Sequence, residues 1–138
     1  MIVLDTNVVS ELWKPTPNPR MMAWFDRQRN WALHVTAITL AELQAGIAVL
    51  PPGKRRAALT ADMETVLSTF VNPILSFDEE AATAYGALHA EARTKRYTLP
   101  FADAQIAAIA AVNGHAVATR DVRPFLAAGV AVINPWEA

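Results

Sequence analysis

Four acidic residues of this 138-residue chain stand where a carboxylate can do chemistry: Asp5, Glu42, Asp103 and Asp121. Asp5 closes the run Ile2-Val3-Leu4, and Asp121 follows Ala116-Val117-Ala118 after Thr119-Arg120. Each therefore falls just past the carboxyl end of an apolar segment that reads as a buried strand. In an open parallel sheet, the crevice beyond those ends is where ligands bind. Glu42 and Asp103 fall near the starts of helices, which in such a fold point to the same end of the sheet. Each acid also has an ordinary explanation. Asp5 can cap the helix that follows it, and a negative charge in a first helical turn, as at Asp103, is favoured by roughly 0.3–1 kcal/mol.

Carboxylates gathered in one crevice repel and raise one another's pKa unless a cation neutralises them. Hard oxygen ligands without cysteine or paired histidine select Mg²⁺ or Mn²⁺ rather than zinc. Such an ion activates water and holds a phosphodiester for in-line displacement, so the expected chemistry is metal-assisted phosphoester hydrolysis. Other acid-pocket chemistries lack their parts. An aspartyl-phosphate phosphatase wants a second Asp two positions after the first, where Asn7 stands. A receiver domain wants a late lysine, but the last is Lys95. No glycine-rich phosphate loop of the GxGxxG or GxxxxGK[ST] type occurs.

The elements that must position these acids follow from periodicity and punctuation. Val8–Trp13 reads as a short helix stopped by Pro15, Pro17 and Pro19. A second helix is expected over Arg20–Arg29, a strand over Trp31–Val35, and a helix from Thr36 or Thr39 to Pro51. Leu59, Met63, Val66, Leu67 and Phe70 form a core-facing stripe on the next helix, after Gly53. Ile74–Phe77 reads as a third strand. A helix capped by Asp78 and another begun by Leu99–Asp103 and running to Gly114 follow, then strands at 116–118 and 130–133. Alternating strands and helices predict an α/β fold with helices on both faces of a mainly parallel sheet of about five strands, the first of them central. His34 reads as a surface or satisfied histidine, since no other His stands at ligand spacing.

Bulk properties narrow the function. The hydrophobic fraction is 53%, above the roughly 45–50% usual for soluble domains, which suggests a subunit or partner interface. No apolar run reaches the roughly 18 residues of a membrane span, and no basic segment leads into a signal-like core, so a cytoplasmic protein without membrane attachment is expected. With no cysteine, disulfides, thiolate nucleophiles and Cys-based metal sites are excluded. A net charge of −1 excludes a broadly basic nucleic-acid-binding surface, though not a local basic rim.

Asp5-Thr6-Asn7, Thr39-Leu40-Ala41-Glu42-Leu43, Pro100-Phe101-Ala102-Asp103-Ala104-Gln105-Ile106, Thr119-Arg120-Asp121 and Asn134-Pro135-Trp136 together resemble a PIN domain, in order and spacing along the whole chain. More closely they are similar to the VapC/FitB-type toxins of bacterial toxin–antitoxin pairs. The resemblance implies a single three-layer α/β/α domain over residues 1–138, acting as a Mg²⁺- or Mn²⁺-dependent ribonuclease. The family's acidic set maps onto Asp5, Glu42, Asp103 and Asp121 as metal ligands and catalytic residues. Thr6, Asn7 and Thr119 match polar positions beside the metal. A homodimer and a cognate antitoxin are implied, with DNA bound only indirectly through the antitoxin. Many relatives carry a further acid before the Phe of the last motif, but Asp121-Val122-Arg123-Pro124-Phe125 has none. The fourth acidic role thus rests on Asp121, and one-metal and two-metal operation both stay open.

Arg120, Arg123 and the Lys54-Arg55-Arg56 run are candidates for a local rim that meets RNA phosphates. The four tryptophans, Trp136 included, read as core or interface anchors rather than stacking platforms. The alternative from another class is a catalytically inactive PIN-like module that sequesters a protein or nucleic-acid partner, its acids serving as caps.

Overall fold

Three-residue strand β1 (Ile2–Leu4) runs through the middle of the molecule and pairs in parallel on both sides. The computed structural model describes residues 1–138. β2 (Leu33–His34) lies on one side of β1; β3 (Ala116–Ala118) lies on the other and carries β4 (Val132–Ile133) at the far edge. The register places Leu4 opposite Ala118, so the two strands end together. Alternation along them sends Val3 and Val117 into one core and Leu4 and Ala118 into the other. A sheet with both faces apolar requires a helical layer on each, and the three-layer α/β/α architecture follows.

One layer is built from α1 (Thr6–Glu11), α2 (Pro19–Asp26), α3 (Ala37–Ala48) and α4 (Lys54–Ser68). Met21, Trp24, Leu43, Ile47 and Met63 from these helices pack on Leu4 and Leu33. The other layer holds α5 (Glu79–Thr94), α6 (Phe101–Asn113) and α7 (Arg123–Ala128). Six residues of α6 from Ala104 to Ala110 are buried; its alanines allow close approach to the sheet and to α5.

The sheet has four strands rather than five. Expected strand Ile74–Phe77 is reduced to one bridge, in which Leu75 N–H donates to Val35 and the Leu75 carbonyl accepts from Ala37. Two side-chain facts explain this. Pro73 has no N–H to give a ladder, and the Asn72 amide takes the carbonyls of Trp31 and Leu33 that a neighbouring strand would use. Helix α7 was not anticipated. Pro124 in its first turn and Gly129 after it, at φ 79°, are the start and stop signals that a six-residue helix leaves. His34 is neither exposed nor satisfied: it is buried, its Nδ1 has no partner, and its ring stacks on His115 at 4.5 Å. Its pKa is lowered by burial and by His115.

Candidate active site

At the carboxyl end of β1 the chain turns directly into α1, and Asp5 forms the hinge. Its backbone N–H still donates to Ala118, 2.9 Å away, as part of the sheet. Its side chain caps α1 through Oδ1, which accepts from Thr6 N–H at 2.8 Å. The capping explanation is therefore correct, yet it uses only one oxygen. Oδ2 faces β3, where the buried Thr119 hydroxyl donates to it at 2.8 Å and the Asn7 amide lies at 3.5 Å. Asn7 also reaches Thr119 Oγ1, 3.3 Å, and accepts from Arg120 N–H at 3.2 Å. The two strand ends are tied together around one carboxylate.

Asp121 follows on the same side, with its N–H on Thr119 Oγ1 at 3.1 Å. Glu42 comes from α3. It is exposed on its outer side, but Thr6 Oγ1 donates to its Oε1 at 2.6 Å, and Thr6 also meets Thr39 Oγ1 at 3.1 Å. Asp103 enters from the first turn of α6. All four acids, with Thr6, Asn7 and Ser10, line one open cavity of about 340 Å³ that has no apolar lining residue. Of the residues singled out from sequence, the four acids, Thr6 and Asn7 line this cavity, Thr119 is bonded to Asp5 and Arg120 to Asn7, while Arg123 and the Lys54–Arg56 run do not line it. Arg56 lines a separate 440 Å³ depression with Pro52, Ala57 and Glu64, which shares no residue with the acid crevice.

Two contributors were not anticipated: Ser10, which lines the cavity, and Thr39, which is buried behind it and meets Thr6. Both lie on the faces already marked, Ser10 one turn after Thr6 and Thr39 one turn before Glu42, so i, i+4 and i, i+3 spacing was the available signal.

The electrostatics of the crevice are one-sided. No Lys, Arg or His lines it. Burial raises the Asp5 pKa most; the hydrogen bonds from Thr119 and Thr6 N–H oppose this, and repulsion from Glu42 and Asp121 adds to it. Asp103 is pushed up to about 6 by partial burial and then by Asp5, Asp121 and Glu42, with no hydrogen bond opposing. Carboxylates that lack a protein cation and are strained by one another fit a divalent ion with oxygen ligands. As the side chains stand, no three of them are gathered closely enough to make a formed metal site. The fit is one of donor chemistry and of placement around one cavity.

Known proteins are similar to this chain in sequence and fold. The family model described as PIN domain matches residues 2–130. The chain belongs to the PIN domain family. Among curated relatives, the plasmid stability protein StbB of Pseudomonas syringae is 50% identical, with 100% of each chain covered. The VapC ribonuclease Y4jK of Sinorhizobium fredii is 48% identical and toxin FitB of Neisseria gonorrhoeae 44%, each with 99% of both chains covered. Of solved structures, FitAcB from Neisseria gonorrhoeae superposes with a TM-score of 0.92 at 43% identity, covering 100% of both chains. FitAB bound to an IR36 DNA fragment gives 0.91 at 44% identity, covering 99% of this chain and 96% of that one. Over nearly all of its residues the chain thus resembles the VapC ribonuclease and toxin FitB. No helix is long and apolar enough to cross a membrane.

Proposed function

We propose that this PIN domain is an endoribonuclease toxin of a type II toxin–antitoxin pair, hydrolysing RNA with Mg²⁺ or Mn²⁺ held by Asp5, Glu42, Asp103 and Asp121. The observation that carries the reading is that four acids from four separate segments of the chain line one cavity without a protein cation. Full-length similarity to a VapC ribonuclease and to toxin FitB supports it.

A bound divalent ion supplies activation of water and neutralisation of charge at the phosphodiester. The protein's own residues do the rest. Thr119 and the Thr6 N–H hold both Asp5 oxygens in place and favour the ionised carboxylate against its burial. Thr6 draws Glu42 inward across the gap between α1 and α3. Asp103, with no competing hydrogen bond, keeps its oxygens free to bind. Asn7 and Ser10 complete a polar lining that admits water to the reacting centre.

Association with a cognate antitoxin, DNA contact only through that partner, and a homodimer belong to the same reading. The FitAB complex with DNA supports the first two. A particle of about twice the 15.0 kDa chain mass in light scattering is the expected result for the dimer. A cytoplasmic location is part of the proposal, since RNA is the substrate.

A second reading, a non-catalytic binding module, is favoured by one observation: no three acids are gathered into a formed metal site. One assay separates the two. Purified protein should cleave single-stranded RNA in Mg²⁺ or Mn²⁺, stop in EDTA and resume on adding metal. Intact RNA under all three conditions would leave only the binding module.

A further inference from the structure

Two arginines flank Asp121 in sequence, Arg120 before it and Arg123 two positions after, and both are exposed. Guanidinium groups beside carboxylates ordinarily pair with them. Here neither does. The two ion pairs of the protein are Lys14–Glu11 and Lys95–Glu91. Instead, the Arg120 guanidinium lies over the Trp136 ring, 5.5 Å from its centre, and that of Arg123 over Tyr97 at 5.6 Å.

Each ring packs against a core. Trp136 lies on the α1–α4 core, with its backbone N–H donating to Asn134 Oδ1 at 3.0 Å. Tyr97 lies on the opposite core, with its backbone N–H donating to the Ala92 carbonyl at 3.0 Å. The Arg120 backbone is tied to the site through Asn7. Glu11 senses the Arg120 charge, but its oxygens are already taken by Lys14 and Asn18 N–H. A guanidinium stacked on a ring keeps its planar fork of N–H donors free, the geometry that grips a phosphate with two bonds.

We propose that Arg120 and Arg123 are the two prongs of a clamp for the RNA backbone on either side of the acid crevice. Trp136 and Tyr97 are the positioning residues that hold the prongs out of that crevice. Without the rings the arginines fold onto the carboxylates, which removes the phosphate contacts and fills the place of the cation. The proposal rests on the ribonuclease reading and specifies how its substrate is held.

The test is binding of a fluorescent single-stranded oligoribonucleotide in EDTA, which stops cleavage, measured over a series of salt concentrations. Each lost phosphate contact lowers the slope of log K against log salt by about 0.7 for single strands. Arg120→Gln and Arg123→Gln should each lower it by that amount. Trp136→Leu and Tyr97→Leu should do the same although both arginines remain. The double variant Arg120→Gln/Trp136→Leu should bind no more weakly than Arg120→Gln alone. Trp136→Phe and Tyr97→Phe keep a ring and should keep the wild-type slope, which guards against losses of folding. A ring with a merely structural role would change the melting temperature and leave the slope alone. If wild type cleaves RNA in Mn²⁺ but the arginine variants keep its slope, or the paired losses add, the clamp is wrong. If wild type neither binds nor cleaves RNA, the ribonuclease reading itself falls and the clamp with it.

Discussion

The two ends of α1 carry buried carboxylates with opposite fates. At its start, Asp5 has hydrogen bonds but no cation, and burial together with neighbouring acids lifts its pKa. At its end, Glu11 is equally buried. Burial pushes Glu11 up too, but the Lys14 ammonium at 2.7 Å and Asn18 N–H at 2.9 Å outweigh it and hold the carboxyl below its usual range. Glu11 is a finished structural unit, with each oxygen matched inside the fold. Asp5 and its neighbours have no counter-charge within the protein, and in the proposed function a divalent cation supplies it. A buried acid left without its counter-charge is what separates a functional site from a brace.

Substitutions at the two ends should therefore fail in different ways. Asp5→Asn keeps shape and capping capacity, so it should fold while losing well over about 100-fold in metal-dependent cleavage, more than the loss typical of residues that only support a metal ligand. Rates per folded molecule, with circular dichroism as the control, check this. Thr119→Val removes the hydroxyl that holds Asp5 and should cost about 10–100-fold in Mn²⁺ affinity or rate. Glu11→Gln should leave cleavage per folded molecule within a few-fold of wild type. It should instead lose about 1–3 kcal/mol in urea unfolding, because Lys14 and Asn18 lose a charged acceptor. A Glu11→Gln protein that is stable but inactive would overturn the contrast.

The smallest effect is in the pH dependence, and its sign differs at the two ends. The metal-free Asp103 carboxyl is raised from 3.8 to about 6. Its contribution is present in full below 3.8 and is lost as pH rises through about 6. Asp103→Asn should therefore raise the metal-free melting temperature at pH 7 by about 3 °C, corresponding to about 1 kcal/mol once solvent screening of a half-exposed group is allowed for. Glu11 behaves in reverse. Its contribution is present above its ordinary 4.5 and is lost as pH falls through its lowered value. Melting curves between pH 3 and 8 on the two single variants check both signs.

Much of this was legible in the chain because it is written in short-range rules. β1 and β3 are apolar on both faces, and Asp5 and Asp121 follow where those strands stop, so their meeting was predictable from the parallel pairing. Asp103 follows from a helix start, whereas Glu42, expected near one, lies midway along α3. The misses have physical causes that lie far apart in sequence. Ile74–Phe77 has strand-like residues, but the competing use of the Leu33 carbonyl by Asn72 is a contact across 39 residues that no window contains. The burial of His34 beside His115 likewise depends on β2 and β3 flanking β1. Glu42 stands among small and apolar residues on its helix. What draws it into the crevice is the Thr6 hydroxyl of another helix.

The central claim is that the acids at the start of α1 and around it share a divalent cation. A calorimetric titration of the metal-free protein with Mn²⁺, beside Asp5→Asn and Asp103→Asn, tests it most directly. Wild type should saturate at one or two ions per chain, and both variants should lose most of that binding while staying folded. Equal, unsaturable uptake by all three proteins would contradict the account.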